Sequence, residues 1–180
     1  AGIATPPKLW QDFFTLVPKL TERKGVSGTV ITKSAVALGE YRNIENSKEV
    51  LSTLMLQAGT PITAFSAGAL RSALDTRSAD GFSPAESALR FYTQFADPQK
   101  PTYSWNRSLS SAQARFLSGD LATYFGFASE LPIIRAKNPN LNFDVALVPQ
   151  SATDALKITF GKMYGLALVK GSTNVAGSLA

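Results

Sequence analysis

Neither cysteine nor histidine occurs among the 180 residues. Their absence excludes thiol nucleophiles, histidine general bases, Ser-His-Asp triads and zinc centres built on Cys or His. The lack of cysteine suits an exported protein that relies on its core and a cytosolic protein equally. No apolar run reaches the roughly 18 residues that a membrane-spanning helix needs. Charge is also thinly spread: 18 basic residues against 13 acidic give +5, yet the longest Lys/Arg run is the pair Arg23-Lys24. A nucleic-acid footprint clusters its cations, so nucleic acid is not expected as a partner. The opening "AGIATPPKLW" has no basic stretch followed by an apolar one, so no targeting segment is read there.

What remains is an ordinary globular composition, 44% hydrophobic and 17% charged. A chain of this length makes one domain, residues 1–180, and buries roughly 70% of the surface its unfolded form exposes. From Pro7 to Arg23, Trp10, Phe13, Phe14, Val17 and Leu20 recur at three- and four-residue spacing, an amphipathic helix that Pro18 must kink or split. "TVITKSAVALG" (29–39) is β-branched and small, a strand whose "AVAL" should be buried on both faces, with a turn possible at Lys33. Asn46 and Glu49 are spaced as a reciprocal cap for a helix that Gly59 ends. Ser83, Pro84 and Glu86 mark a second helix start, placing Ala85, Leu89, Tyr92 and Phe95 on one face. Residues 60–81 between these helices read as irregular or short-helical.

A short helix, "SSAQARFLSG", leads to the strand "LATYFG". Ser129 then caps a helix with Pro132 in its first turn, which Asn138-Pro139 terminates. "FDVALVP" and "MYGLALV" read as two further strands. Helices alternating with short buried strands define an α/β layer fold, a short central sheet flanked by helices.

Two kinds of chemistry fit the residues present. Glycoside hydrolysis needs two carboxylates flanking a bond, and Glu40, Asp120 and Glu130 lie near strand ends. The ordinary roles of these residues are stronger: Asp120 in a turn, Glu130 in a helix's first turn where the dipole favours negative charge. No enzyme activity is expected. A carbohydrate surface instead needs flat rings for C–H faces and a few polar groups for hydroxyls. "GEYRN", "YSWN" and "YFGFASE" each supply that mixture where the loops at strand ends of an open sheet would lie. Any one of these rings could be plain core. In "YFGFASE", Tyr124 and Phe125 alternate across a strand, so at least one is core, and Phe127 is the better cleft residue. Gly126 then gives the backbone room to approach a ligand.

In order, "TPPKLWQDFFTLVPKLTER", "SAVALGEYRNIENSKEVLSTLMLQAG", "SSAQARFLSGDLATYFGFASELPIIRAKNPNLNFDVALVPQ" and "TFGKMYGLALVKGSTNVAGS" resemble the second lobe of extracellular solute-binding proteins of ABC importers, in the maltodextrin-binding-like family. The resemblance runs over almost the whole chain. One departure is the missing small-Met pair after the glycine, where "LATYFG" stands. It implies a single lobe of the type II periplasmic-binding-protein-like fold, excised or naturally reduced, with hinge remnants at about 1–6 and 174–180.

It further implies capture of a solute, a mono- or oligosaccharide, for delivery to an ABC permease, outside the cytoplasm, with no cofactor and no metal. The implied ligand-binding residues are Glu40, Tyr41, Asn43, Trp105, Phe125, Phe127, Ser129, Glu130 and Tyr164. The first lobe is the implied partner, and a lone lobe should bind sugar only weakly or not at all. The alternative is an interaction or scaffold module whose exposed aromatic loops contact protein.

Overall fold

The computed structural model describes residues 5–25, 28–151, 157–165, 167 and 171. The expected hinge remnants therefore lie largely outside the described residues. The chain is a mixed α/β protein of five helices and five strands among those residues: α1 (Asp12–Leu20), β1 (Glu22–Lys24), β2 (Val30–Val36), α2 (Ser47–Gln57), β3 (Thr63–Ser66), β4 (Ala69–Ser72), α3 (Pro84–Thr93), α4 (Ala112–Leu117), β5 (Leu121–Thr123) and α5 (Leu131–Lys137). Single 3-10 turns at Gln94–Ala96 and Ala128–Glu130 complete it.

The first helix is shorter than its apolar stripe. Asp12 in the first turn ties down the preceding segment, its Oδ2 accepting from Lys8 and Leu9 N–H at 2.9 and 3.0 Å. Pro18 sits in the last turn, where its missing N–H removes one helical bond, and the helix stops at Leu20. Residues 22–24 instead pair antiparallel with β2. β2 runs straight through Lys33 without a turn and is the centre of a three-stranded sheet, β1-β2-β5, in which β5 is parallel to it. Ala35, Val36, Ala37 and Leu38 are all buried, as a strand covered on both faces requires.

Two clusters of side chains pack around it. The larger joins Trp10, Phe13 and Val17 near α1 to Val36 and Leu38, Val50 and Leu54 of α2, and Ala88, Tyr92 and Phe95. The smaller holds Ala37, Ile44, Trp105, Ala112 and Leu121. In α3, Ser83 Oγ accepts from Glu86 N–H and Pro84 occupies the first turn, as its sequence predicts. The buried face is Ala85, Ala88 and Tyr92, however, and Leu89 is 44% exposed. Positions 85, 88 and 92 and positions 85, 89 and 92 span equal arcs of the helix, about 60° each, so packing and not the repeat selects the buried face.

Three expectations fail on strand pairing. Residues 63–72 form an antiparallel hairpin, Phe65 opposite Leu70, through a turn in which Ala67 and Gly68 both have positive φ. That two-residue geometry matches strand twist, so a hairpin forms where irregular or helical chain was expected. "FDVALVP" is not a strand: Val145 and Leu147 are 63% and 86% exposed, and the stretch is held by side chains instead, Phe143 meeting Phe116 at 5.6 Å and Val148 packing on the larger cluster, with an isolated bridge of Gln150 to Leu9 just beyond it. "MYGLALV" is non-strand over its described residues, with Met163 and Tyr164 exposed, and the rest lies outside them. An apolar run becomes a strand only where another strand's N–H and C=O groups meet it.

Candidate functional site

The residues expected to bind ligand separate into a buried set, an exposed set and a cleft set. "YSWN" belongs to the first. Trp105 is fully buried, and its Nε1–H donates to Asn43 Oδ1 at 3.1 Å. Ser104 Oγ accepts from Ala35 and Val36 N–H, and Tyr103 is 5% exposed. This segment plugs the sheet, so the Trp105 ring has no face for a solute.

Asn43 is likewise committed, its Nδ2 donating to the carbonyls of Asn106 and Leu109 at 2.9 and 3.0 Å. Tyr41 stands 74% exposed and Tyr164 86% exposed. Lys162 Nζ lies 5.3 Å from the Tyr164 ring centroid. Glu40 pairs with Arg107 at 3.3 Å.

"YFGFASELP" is built around Glu130. Its Oε1 accepts from Phe127 N–H at 2.8 Å, and Glu130 N–H donates to Phe127 C=O at 2.9 Å. Glu130 therefore closes the turn that Ser129 was expected to cap, and Ser129 is exposed. Asn46 Nδ2 reaches Glu130 Oε1 at 2.8 Å and Phe125 C=O at 3.1 Å. Asn46 thus makes no side-chain bond to α2, contrary to the reciprocal cap its spacing suggests.

Tyr124 O–H donates to Glu130 Oε2 at 2.6 Å and Gln113 Nε2 donates to the same oxygen at 3.4 Å. Lys137 donates to Gln113 Oε1 at 2.7 Å. Burial, then the hydrogen bond and negative charge of Glu130, hold the Tyr124 hydroxyl well above the usual tyrosine range. A Cβ on Gly126 would meet the Tyr124 ring at 2.8 Å and Glu130 Oε1 at 3.3 Å. Gly126 thus packs against this network, and it also lines the cleft beside α2.

The rings divide as follows. Tyr124 stacks on Phe116 at 5.5 Å, against the smaller cluster. Phe125 lies on the larger one, 5.4 Å from Trp10 and 6.1 Å from Phe13. Phe127 turns outward, half-buried, to meet Phe160 at 6.4 Å. Between these pairs and the first turns of α2 is a small cleft of ≈ 70 Å³. Trp10, Phe125, Phe127 and Phe160 line it with Val50 and Val148, and its polar edge is Asn46, Glu49, Thr53 and Thr159.

Trp10, Glu49 and Phe160 were not among the expected site residues. Trp10 reads as helix stripe, Glu49 as a cap, and Phe160 carries no local signal. Only the path of the chain brings them together.

A larger open groove of ≈ 600 Å³, lined by Arg90, Phe91, Thr93, Gln94, Asp97 and Lys100, contains none of the expected residues and no free pair of carboxylates. Among the described residues no group of three carboxylates could hold a metal ion, and no helix is long and apolar enough to cross a membrane. The class that fold and site define is a mixed α/β protein with a shallow aromatic-lined cleft. Set against protein-family models, curated proteins and solved structures, the chain matches none of them.

Proposed function

We propose that this chain is a solute-binding module, one lobe of a type II importer binding protein, and that the cleft beside α2 is one wall of its ligand site. The composition of that cleft carries the reading. Four rings supply apolar surface, and Glu49 supplies a polar group that makes no hydrogen bond or ion pair among the described residues. Rings with a few polar groups are the usual lining of a small-molecule site.

A volume of ≈ 70 Å³ falls well short of the roughly 300 Å³ that encloses a ligand, so a second wall must close over it. A hinged partner lobe would provide one. On this reading the solute is a mono- or oligosaccharide, the other partner is a membrane permease, and the protein works outside the cytoplasm. No bond is made or broken: Glu40 is paired with Arg107, and Glu130 is held by Phe127, Asn46, Tyr124 and Gln113.

Amide NMR during titration with glucose, maltose and maltotriose tests the proposal. We expect shifts at Glu49 and Phe127 with dissociation constants in the millimolar range, on the order of 4 kcal/mol. Micromolar binding would refute the half-site, and unmoved cleft amides at about 50 mM sugar would refute carbohydrate binding. The interaction-module reading is favoured by one observation, the facing pair Phe65 and Leu70, 76% and 69% exposed on the hairpin. Sedimentation in which Phe65→Ser abolishes self-association, with sugars leaving the cleft unmoved, would put that reading first.

A further inference from the structure

We infer that the cleft selects a ligand bearing a cationic amino or ammonium group, bound against Glu49 among the rings. The inference rests on reading the cleft as a ligand wall and specifies the class of ligand.

Glu49 lies on the edge of a space whose other walls are dominated by Trp10, Phe125, Phe127 and Phe160. A carboxylate half-shielded from water beside apolar rings is poorly solvated and gains from a counter-ion. No cation pairs directly with it among the described residues: the three ion pairs join Lys33 to Glu22, Arg90 to Glu86 and Arg107 to Glu40. Lys162, whose charge is close enough to feel Glu49, stands over the Tyr164 ring and does not line the cleft.

Aromatic rings attract a cation through their negative faces, which adds to the pull of the carboxylate. The ring pairs meet at 40° and 61°, so their planes point in several directions around the space. The size also fits. At ≈ 70 Å³ this wall seats a small cationic head group, the remainder of the ligand lying against the second wall.

One force opposes the assignment. The N-terminus of α2 carries the equivalent of about half a positive charge and disfavours a cation. Glu49 answers it with a full negative charge inside the first turn. For an anionic ligand the balance reverses, because a carboxylate or phosphate would meet Glu49 directly.

The test compares glucosamine, N-acetylglucosamine, glucose and tetramethylammonium at one ionic strength, followed by the amides of Glu49 and Phe127 in the wild type and Glu49→Gln. The substitution keeps the shape of a residue that makes no side-chain bond among the described residues, and a thermal melt verifies the fold. We expect glucosamine to act at about tenfold lower concentration than glucose or N-acetylglucosamine, with that preference lost in Glu49→Gln. Equal responses to glucosamine and glucose, or a preference that survives in Glu49→Gln, would overturn the inference while leaving the sugar wall standing. Response to tetramethylammonium alone, dependent on Glu49, would support the cation site and remove the sugar reading. If no probe moves the cleft, both fall.

Discussion

Replacing Gly39 by alanine tests the packing that joins β2 to the end of α3. A Cβ at position 39 would lie 2.7 Å from both the Cβ and the backbone N of Ala96 and 3.2 Å from the Tyr92 carbonyl oxygen. Two of those three atoms are backbone, so relief requires the 3-10 turn Gln94–Ala96 to move away from the sheet. That turn carries Phe95, which is fully buried.

Gly39 also has φ +97°, where an L side chain adds roughly 1–2 kcal/mol of strain. Over-packing of a fixed core contributes about 1–3 kcal/mol more. The sum is about 2–5 kcal/mol, or roughly 4–20 °C in melting temperature for a chain of this size. Gly59 is the internal control, because its φ is +86° with nothing within 4 Å of an added Cβ.

Gly59→Ala therefore carries the backbone strain without the collision, and the difference between the two variants isolates it. Urea unfolding by tryptophan fluorescence and circular dichroism measures both. Gly39→Ala should be less stable than Gly59→Ala by about 2 kcal/mol. Equal midpoints would show that Ala96 does not sit against position 39, and the placement of α3 on the sheet would be wrong.

Two more outcomes follow from the core. Trp105→Phe leaves Asn43 Oδ1 without its donor and opens space in a fully buried position, which should lower stability by about 2–4 kcal/mol in urea melts. Any sugar response should survive, and its selective loss in a folded variant would return Trp105 to the ligand surface. Burial holds the hydroxyls of Tyr92 and Tyr124 above the usual value near 10, and Glu130 adds to the effect at Tyr124. Both therefore keep their protons in the folded state while the unfolded chain releases them. Their stabilising effect is complete below pH 10 and declines as pH rises above it. Melting temperatures between pH 8 and 11 should fall less steeply for Tyr124→Phe than for the wild type, and parallel curves would contradict the burial of the Tyr124 hydroxyl beside Glu130.

Local rules of the chain were enough to place the helices. Ser83-Pro84 starts α3, and Asn138-Pro139 follows α5, because caps and proline act within one turn of themselves. The strand β2 was legible too, since a β-branched run covered on both faces needs no knowledge of its neighbours. The aromatic loops were not. "GEYRN", "YSWN" and "YFGFASE" look alike in composition, yet Tyr41 is exposed, Trp105 is fully buried, and of their rings Phe125 and Phe127 line the cleft.

Position in the sequence determined which residues could form helices and strands, and the absence of cysteine and histidine determined which chemistries were closed. Tertiary structure decided the partners. Asn46 sits at the start of α2 as its spacing required, but a denser set of acceptors 78 to 84 residues away drew its side chain off the helix. Glu49 was left at the edge of the cleft with no side-chain hydrogen bond or ion pair among the described residues. Hydrogen bonds and ring contacts go to whatever the fold brings within about 3 Å and 6 Å, and those distances are set by the path of the chain.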